Sequence, residues 1–191
     1  SMAQTAVGSG PWVVLASGDG ERVYVANRSS NTVSVLDAET QATLATITGG
    51  LNGPTALAET ADGAYLFVAN YDSGSVSVID TQTNTIVKSI AVGSTPYALT
   101  VHGSGVAATL YAANFYGESV SVVPLNNADP QAWVATQTIT VGSLPNSLNV
   151  DQLGYLYVTN ESSQIISVID TASAAVISTV NLEVTPFRSQ L

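Results

Sequence analysis

Oxygen-bearing side chains in otherwise apolar runs are the first candidates for chemistry. Glu59, Thr100, Asn149 and Asp151 stand within or directly after such runs. Carboxylate and amide oxygens are the ligands that Ca²⁺ prefers. Glu59, Asn149 and Asp151 therefore form a candidate calcium site, and the alternative interpretation of the same residues is simple solvation of a polar surface.

Nucleophilic and general-base chemistry has little support in this sequence. His102 is the only histidine, and cysteine is absent. A catalytic histidine needs a nucleophile and an orienting acid within reach, and the spacing indicates neither. We interpret His102 as a turn residue. The lack of cysteine excludes disulfides and thiolate metal sites, so no catalytic residue is assigned and a non-enzymatic protein is favoured.

Aromatic side chains form a second candidate site, because they recur at corresponding points of the sequence. Three follow an asparagine that ends an apolar run, within the next two residues: Tyr71, Phe115 and Tyr116. Three others directly follow a proline: Trp12, Tyr97 and Phe187. Rigid rings on one rim would suit recognition of a protein or a glycan. The alternative is that these rings fill gaps between structural repeats.

Charge and composition exclude several classes of partner. Lys and Arg number 4 against 14 Asp and Glu, for a formal net charge of -10. The cations are too few and too scattered to neutralise phosphates, so binding to nucleic acid or to an anionic membrane is not expected. No run of about 18 apolar residues occurs that would form a transmembrane helix. The many valines and threonines favour an all-β protein.

Those candidate residues are positioned by a fourfold repeat. Four similar runs end in asparagine, at residues 23–27, 66–70, 110–114 and 156–160, with the asparagines 43, 44 and 46 residues apart. Each run precedes a four-residue polar link and a second alternating run, at residues 32–36, 75–79, 119–123 and 165–169. Alternation bounded by turn residues is typical of half-buried strands. Asn27, Asn70, Asn114 and Asn160 are predicted to support the links.

Each repeat also has a first strand and a last strand. A proline precedes a glycine by nine residues in all four repeats: Pro11 and Gly20, Pro54 and Gly63, Pro96 and Gly105, Pro145 and Gly154. The interval contains an apolar run and a hairpin turn. Last strands are predicted at residues 42–47, 85–92, 134–141 and 175–180. In three of the four repeats an aspartate (Asp37, Asp80 or Asp170) follows the second alternating run and is predicted to be a turn residue.

Four antiparallel strands in roughly 43 residues are typical of one blade of a β-propeller. We predict four blades, at about 11–53, 54–95, 96–144 and 145–185, after an N-terminal segment 1–10 that includes a tag remnant. Residues 186–191 correspond to the start of a fifth repeat. The chain is then a fragment of a larger ring, a closed ring of four blades, or half of a ring that two copies complete as a homodimer through their end blades.

These motifs resemble the YVTN family of β-propeller repeat proteins. Residues 157–160 read Tyr-Val-Thr-Asn, residues 75–80 read Ser-Val-Ser-Val-Ile-Asp, and residues 91–93 read Ala-Val-Gly. The resemblance spans about residues 11–186 and implies a bacterial or archaeal protein located at the cell surface, in the periplasm or secreted. Two features depart from it: family members commonly have more than four blades, and the third repeat has Pro124 and an insertion at residues 126–130, which is a candidate contact loop.

Two functions are consistent with this sequence. The first is a non-enzymatic binding or scaffold propeller without a cofactor, which presents its loops to a protein or carbohydrate partner. The second is a lactonase-like hydrolase with calcium in the central channel, because lactonase-type propellers use Glu, Asn and Asp in this way. Residues 3–6 (Ala-Gln-Thr-Ala) resemble a terminus left by signal peptidase, which would indicate export, and the alternative is an arbitrary start of the sequence.

Overall fold

The computed structural model describes residues 5–182, which form four antiparallel sheets of four strands in chain order. The proposed start of a fifth repeat and Phe187 lie outside the described residues. Blade 1 contains β1 (Pro11–Ala16), β2 (Arg22–Asn27), β3 (Thr32–Asp37) and β4 (Thr43–Ile47). Blade 2 contains β5 (Pro54–Glu59), β6 (Tyr65–Asn70), β7 (Ser75–Asp80) and β8 (Thr85–Ala91). Blade 3 contains β9 (Pro96–His102), β10 (Thr109–Asn114), β11 (Ser119–Pro124) and β12 (Gln137–Thr140). Blade 4 contains β13 (Pro145–Val150), β14 (Tyr155–Asn160), β15 (Ile165–Asp170) and β16 (Ala175–Asn181).

Each sheet is a meander in which consecutive strands pair, as the fourfold repeat predicts. The all-β architecture of four four-stranded blades is confirmed. Alternation within a strand decides which neighbouring blade each side chain meets. In β6, Leu66 packs toward blade 1 and Phe67, the next residue, packs toward blade 3. Blades therefore stack face to face through apolar side chains.

Three hydrophobic clusters hold the described blades together. One lies between blades 1 and 2, the next between blades 2 and 3, and the third between blades 3 and 4. Inner strands follow the same order, β1 beside β5, β5 beside β9 and β9 beside β13. Within residues 5–182 no comparable contact joins β1 to β13. The outer flanks of the end blades expose apolar side chains such as Val14 and Ile177, so the four blades form an open arc, consistent with part of a larger propeller.

The asparagine that ends the second strand of each blade has a structural role, as predicted. Asn27, Asn70, Asn114 and Asn160 are buried. Their Nδ2 groups donate to the hydroxyl seven residues ahead, that of Ser34, Ser77, Ser121 and Ser167, over 2.8–3.0 Å. This bond ties the second strand to the third across the polar link. Asp37, Asp80 and Asp170 likewise accept backbone N–H groups of the turns they precede.

The insertion in blade 3 packs against blade 2. Trp133 is buried between the two blades, with its ring edge-on to Tyr65 at 5.1 Å and tilted against Phe67 at 5.9 Å. The indole Nε1 donates to the carbonyl of Asn127 at 2.8 Å, and Lys88 Nζ donates to the carbonyl of Gln131 at 3.0 Å. Because the chain turns inward at Trp133, the last strand of blade 3 covers only Gln137–Thr140 and not the predicted residues 134–141.

Candidate binding face

One edge of the arc carries all four polar links and all four starts of inner strands. Register places them together: Pro54 pairs with Asn70, and Asn70 pairs with Ser75 on the next strand. We call this edge the link rim, and it comprises residues 28–31, 71–74, 115–118 and 161–164 together with the segments around Pro11, Pro54, Pro96 and Pro145. The hairpin turns that connect first and second strands lie at the opposite edge, which we call the turn edge.

Of the six aromatic residues predicted from the sequence, five lie among the described residues, and four of those five form one cluster on the link rim. Tyr97 and Phe115 have ring centroids 5.2 Å apart, and Phe115 meets Tyr116 edge-on at 5.0 Å. Tyr71 of blade 2 reaches Tyr97 at 6.2 Å and Tyr116 at 6.4 Å. Edge-to-face pairs of this kind contribute about 0.5–1.5 kcal/mol beyond burial of their area. The cluster is therefore a rigid aromatic surface that bridges blades 2 and 3.

The fifth predicted residue, Trp12, joins this cluster through an arginine. The Arg28 guanidinium carbon lies 4.9 Å from the Trp12 ring centroid and 4.7 Å from that of Tyr71. Such a cation–π contact contributes about 0.5–2 kcal/mol. The aromatic surface thus continues from blade 3 to blade 1. Sequence reasoning missed Arg28, although it occupies the position after the repeat asparagine that Tyr71 and Phe115 occupy in their blades.

Exposure differs within the cluster. Trp12 is 50% exposed and Tyr116 is 64% exposed, whereas Tyr71, Tyr97 and Phe115 are half-buried. Burial raises the pKa of the Tyr71 phenol above its usual value, and the neighbouring Tyr116 hydroxyl adds to the rise. The half-buried rings fill space between blades, and the two exposed rings remain available for contact with another molecule.

A surface depression adjoins the cluster on the blade 1 side. Its volume is about 560 Å³, and its walls include Trp12, Arg28, Ser29, Asn31 and Asp72. Asn31 Oδ1 accepts the backbone N–H of Gly53 at 2.7 Å, which fixes that wall across blades 1 and 2. The volume lies within the range of about 300–1,000 Å³ that is usual for small-molecule sites.

Blade 4 has polar residues at the corresponding rim positions. Asn146 follows Pro145 and Glu161 follows Asn160, where blade 3 has Tyr97 and Phe115. Asn146 Nδ2 donates to Glu161 Oε2 at 3.3 Å, and the Thr159 hydroxyl donates to Asn146 Oδ1 at 2.6 Å. The aromatic surface therefore ends at the boundary between blades 3 and 4.

Residues of the candidate calcium site lie toward the turn edge, in two different blades. Glu59 ends β5 of blade 2, and its Oε2 accepts the backbone N–H of Gly18 at 2.8 Å. Asp151 follows β13 of blade 4, where its Oδ1 accepts the N–H groups of Leu153 and Tyr155. Those backbone bonds, chiefly that from Tyr155, lower the pKa of the Asp151 carboxyl.

The remaining polar candidates add no metal centre. Asn149 is exposed on β13, and Thr100 is half-buried on β9. In the part of the chain that the structure describes, no group of three or more His, Cys, Asp and Glu side chains is arranged to hold a metal ion. Glu59 and Asp151 are both used to fix hairpin turns.

His102 lies at the end of β9, paired with Thr109 across the sheet. The residues at this position in blades 1, 2 and 4 accept the N–H of the residue that follows the turn: Ser17 from Arg22, Thr60 from Tyr65, and Asp151 from Tyr155. His102 instead extends the strand, and a 3-10 turn at Gly105–Ala107 follows. Residues 5–182 contain only short 3-10 helical turns, so they hold no helix able to span a membrane.

Comparisons with known proteins place the chain among β-propellers. The family model described as "Cytochrome D1 heme domain" matches residues 12–176. Hydrazine synthase of Kuenenia stuttgartiensis matches with a TM-score of 0.82 and 26% identity over 96% of this chain and 53% of its own. The Cps50 (Swd1) β-propeller domain of Myceliophteria thermophila has a TM-score of 0.77 and 16% identity over 94% of this chain and 58% of its own.

A third similar structure is the dihydro-heme d1 dehydrogenase NirN in complex with DHE, with a TM-score of 0.68 and 16% identity. That match covers 89% of this chain and 37% of the other. The chain thus spans roughly two fifths to three fifths of the length of these structures. No curated protein matches the sequence.

The family description names a heme, and binding of a heme requires ligands for its iron and cations for its carboxylates. Heme iron is bound by His, Cys, Met or Tyr, and residues 5–182 contain one histidine and neither cysteine nor methionine. His102 lies toward the turn edge and is not among the residues that line the depression at Trp12 or the cavity beside Tyr65 and Trp133. Of the three described cations, Arg22 donates to the carbonyl of Thr81 and Lys88 to that of Gln131, which leaves Arg28 alone for the carboxylates of a heme. With tyrosine as the main remaining type of iron ligand and one uncommitted cation, residues 5–182 by themselves fit a heme poorly.

Proposed function

The chain belongs to the Cytochrome D1 heme domain family, and on that premise we propose that it is a non-enzymatic binding or scaffold propeller whose link rim docks a protein or glycan partner. The repeat sequence is of the YVTN type, and the protein acts outside the cytoplasm of a bacterium or archaeon. Its partner is external to the chain, and binding requires no cofactor. The likeness to hydrazine synthase covers 53% of that chain, and the proposal does not depend on its activity.

One observation carries this proposal: rings from three successive blades converge on a single edge. Tyr71, Tyr97, Phe115 and Tyr116 contact one another, and Arg28 connects them to Trp12. Paired strands hold these residues at both ends of each link, so the surface is preorganised. Aromatic and arginine side chains are enriched among the residues that dominate binding energy, and rigid aromatic rings bury much area at little entropic cost.

Acidic charge elsewhere narrows the class of partner. With a net charge of -10, the protein repels polyanions at long range, and Arg28 is the single cation on the link rim of residues 5–182. A neutral or basic partner with apolar groups suits this surface best.

The experiment is a screen of the intact protein on an immobilised glycan array and against a phage-displayed peptide library. Tyr116→Ala removes the most exposed ring of the cluster, and Leu153→Ala is the control, since Leu153 is exposed at the turn edge. We expect ligands that lose at least about tenfold in affinity with Tyr116→Ala and are unchanged with Leu153→Ala. Absence of any ligand, or equal binding by both variants, would refute the proposal.

A further inference from the structure

The depression on the blade 1 side exists because of a glycine. Gly10 precedes Pro11 with φ +63°, and a Cβ built there would lie 2.2 Å from Ser29 Oγ. The equivalent residues in blades 3 and 4 are Thr95 and Leu144, which adopt the same left-handed conformation but carry side chains. Left-handed backbone is strained for these residues, so the conformation is required by the blade. Blade 2 also has a glycine at this position, Gly53, but the Asp72 carboxylate lies beside it, so the open space is found at Gly10.

Hydrogen-bond donors line one side of this depression. The Arg28 guanidinium carbon lies close to the ring centroids of both Trp12 (4.9 Å) and Tyr71 (4.7 Å), which restricts the movement of its guanidinium. The backbone N–H of Arg28 donates to Gly10, and its side chain makes no hydrogen bond or ion pair with any residue from 5 to 182. A guanidinium presents its donors in a fixed fork. This fork is therefore available to a ligand and already oriented.

Hydrogen-bond acceptors line the other side. Asp72 follows Tyr71 in the blade 2 link, and its carboxylate lies over Gly53, where a Cβ would come within 2.3 Å of Oδ2. Gly53 has no side chain and has φ +63°, so the close approach of the carboxylate depends on it. Among the described residues Asp72 accepts no side-chain or backbone hydrogen bond, and it is not paired with Arg28. The lining of the depression thus contains a hydrogen-bond donor, Arg28, and an acceptor, Asp72, whose side chains bond to no other described residue.

We propose that this depression is a subsite for a neutral pyranose ring of a glycan, an inference that rests on the proposed binding function and names its ligand. A hydroxyl both donates and accepts, so adjacent sugar hydroxyls can accept from Arg28 and donate to Asp72. The two charges cancel, which favours a ligand without charge. The half-exposed Trp12 ring supplies an apolar wall for the C–H groups of the sugar, and neighbouring rings of the glycan extend over Tyr71 and Tyr116.

A charged sugar or a peptide fits the same walls less well. A uronic acid would gain a bidentate contact with Arg28 but would be repelled by Asp72. A basic peptide would gain from Asp72 and lose against Arg28. A hydroxyl-rich neutral ligand satisfies both side chains at once, and leaving either one unpaired on binding is costly.

Titration calorimetry with cellohexaose, mannohexaose and chitohexaose tests the inference directly. Asp72→Asn keeps the shape and removes the anion, and Arg28→Lys removes the planar fork. The matched control is Glu161→Gln, since Glu161 occupies the Arg28 position in blade 4, beside which Leu144 replaces Gly10. We expect one of these oligosaccharides to bind, to lose about tenfold or more in affinity with each depression variant, and to bind the control unchanged.

Fluorescence locates the bound sugar independently. Trp12 is half exposed and Trp133 is buried between blades 2 and 3, so a sugar at the depression changes emission from Trp12. Trp12→Phe should abolish that change without affecting the thermal midpoint by more than a few degrees. A fluorescence change that persists in Trp12→Phe would place the sugar elsewhere and overturn the inference.

Other outcomes separate this inference from the proposed function. If none of the three oligosaccharides binds, or if binding persists in both depression variants, the glycan subsite is wrong. Peptides that bind through Tyr116 in the same preparation would then leave the rim-docking function standing. Binding of polygalacturonate alone, weakened by Arg28→Lys and strengthened by Asp72→Asn, would overturn the neutral ligand in favour of an acidic one. If neither sugars nor peptides bind, both proposals fail.

Discussion

Blades 3 and 4 share the repeat sequence, but they differ at the residue after the repeated asparagine and in the segment before the last strand. Their buried asparagines, Asn114 and Asn160, make the same bond to a serine seven residues ahead. One residue later on the rim, blade 3 has the aromatic Phe115 and blade 4 has the acidic Glu161. The comparison shows that the repeated residue builds the blade, and that the residue beside it is free to specialise.

Their outer strands differ in the same way. Strand β12 of blade 3 is short because the insertion before it directs Trp133 into the boundary with blade 2. Strand β16 of blade 4 is longer and exposed along its whole length, and it pairs with β15 through one β-bulge at Ile177. Among the described residues, Trp133 thus adds a contact between blades 3 and 2, whereas the outer strand of blade 4 is held by its pairing with β15.

The largest expected effect on stability comes from removing the Trp133 side chain, which packs between blades 2 and 3. Trp133→Ala leaves a cavity between blades 2 and 3 and should lower the free energy of unfolding by about 3–5 kcal/mol. Ile177→Ala on β16, where Ile177 is 55% exposed, should lower it by less than about 0.5 kcal/mol. Urea denaturation followed by circular dichroism measures both. Equal losses would mean that the insertion does not hold the blades together.

Removing the repeated asparagine should lower the free energy of unfolding by a similar amount in both blades. Asn114→Ala removes the buried donor to Ser119 and Ser121, and Asn160→Ala removes the one to Ser167 and two backbone carbonyls. Each should therefore lower the free energy of unfolding by about 1–3 kcal/mol. Asn146→Ala on the rim of blade 4 is the comparison, because Asn146 bonds only to half-exposed or exposed side chains. A loss confined to one of the two blades would show that the asparagine network is not a general blade element.

Much of this architecture was predictable because it depends on periodicity. Alternation and the repeated asparagine predict four meanders, and register then brings Tyr71, Tyr97 and Phe115 to one edge. The same logic predicts that Glu59 and Asp151 stand in different blades, near the ends of their inner strands. Local sequence determines these features, since a strand's alternation and its turn chemistry are local properties.

What the sequence did not predict depends on contacts between blades. Arg28 joins the aromatic surface through rings of two blades, and no local pattern distinguishes a stacked arginine from a solvated one. The path of the insertion is likewise decided by the cavity that Trp133 fills, so the predicted strand at residues 134–141 was too long. The depression depends on Gly10, at a position where blades 3 and 4 have the larger residues Thr95 and Leu144. The sequence alone does not show that a side chain at this position would meet Ser29.

A smaller effect is expected from relieving backbone strain in blade 4. Leu144 has φ 57°, and Leu144→Gly removes that strain, which outweighs the greater freedom of glycine in the unfolded chain. The free energy of unfolding should rise by up to about 1 kcal/mol. Thr95→Gly in blade 3 is the matched variant, and it should give no gain because Thr95 Oγ1 accepts the N–H of Tyr116 at 2.8 Å. Calorimetric midpoints measure both, and a gain in blade 3 equal to that in blade 4 would contradict the distinction.

The smallest expected effect is on the pH dependence of stability, and it comes from Asp170, an acidic residue of blade 4 that blade 3 lacks. Asp170 ends β15, where blade 3 has Pro124, and bonds from the Ser173 hydroxyl and the Ala172 N–H lower the pKa of its carboxyl below the usual 3.8. A carboxyl with a lowered folded-state pKa stabilises the protein above its unfolded pKa, and this contribution disappears as pH falls through the folded value. Asp170→Asn should therefore differ from the parent in thermal midpoint at neutral pH, and the difference should close below about pH 3.8. A difference that stays constant into strong acid would show that Asp170 acts through its shape rather than its charge, and the two blades would then differ at this turn only by the proline.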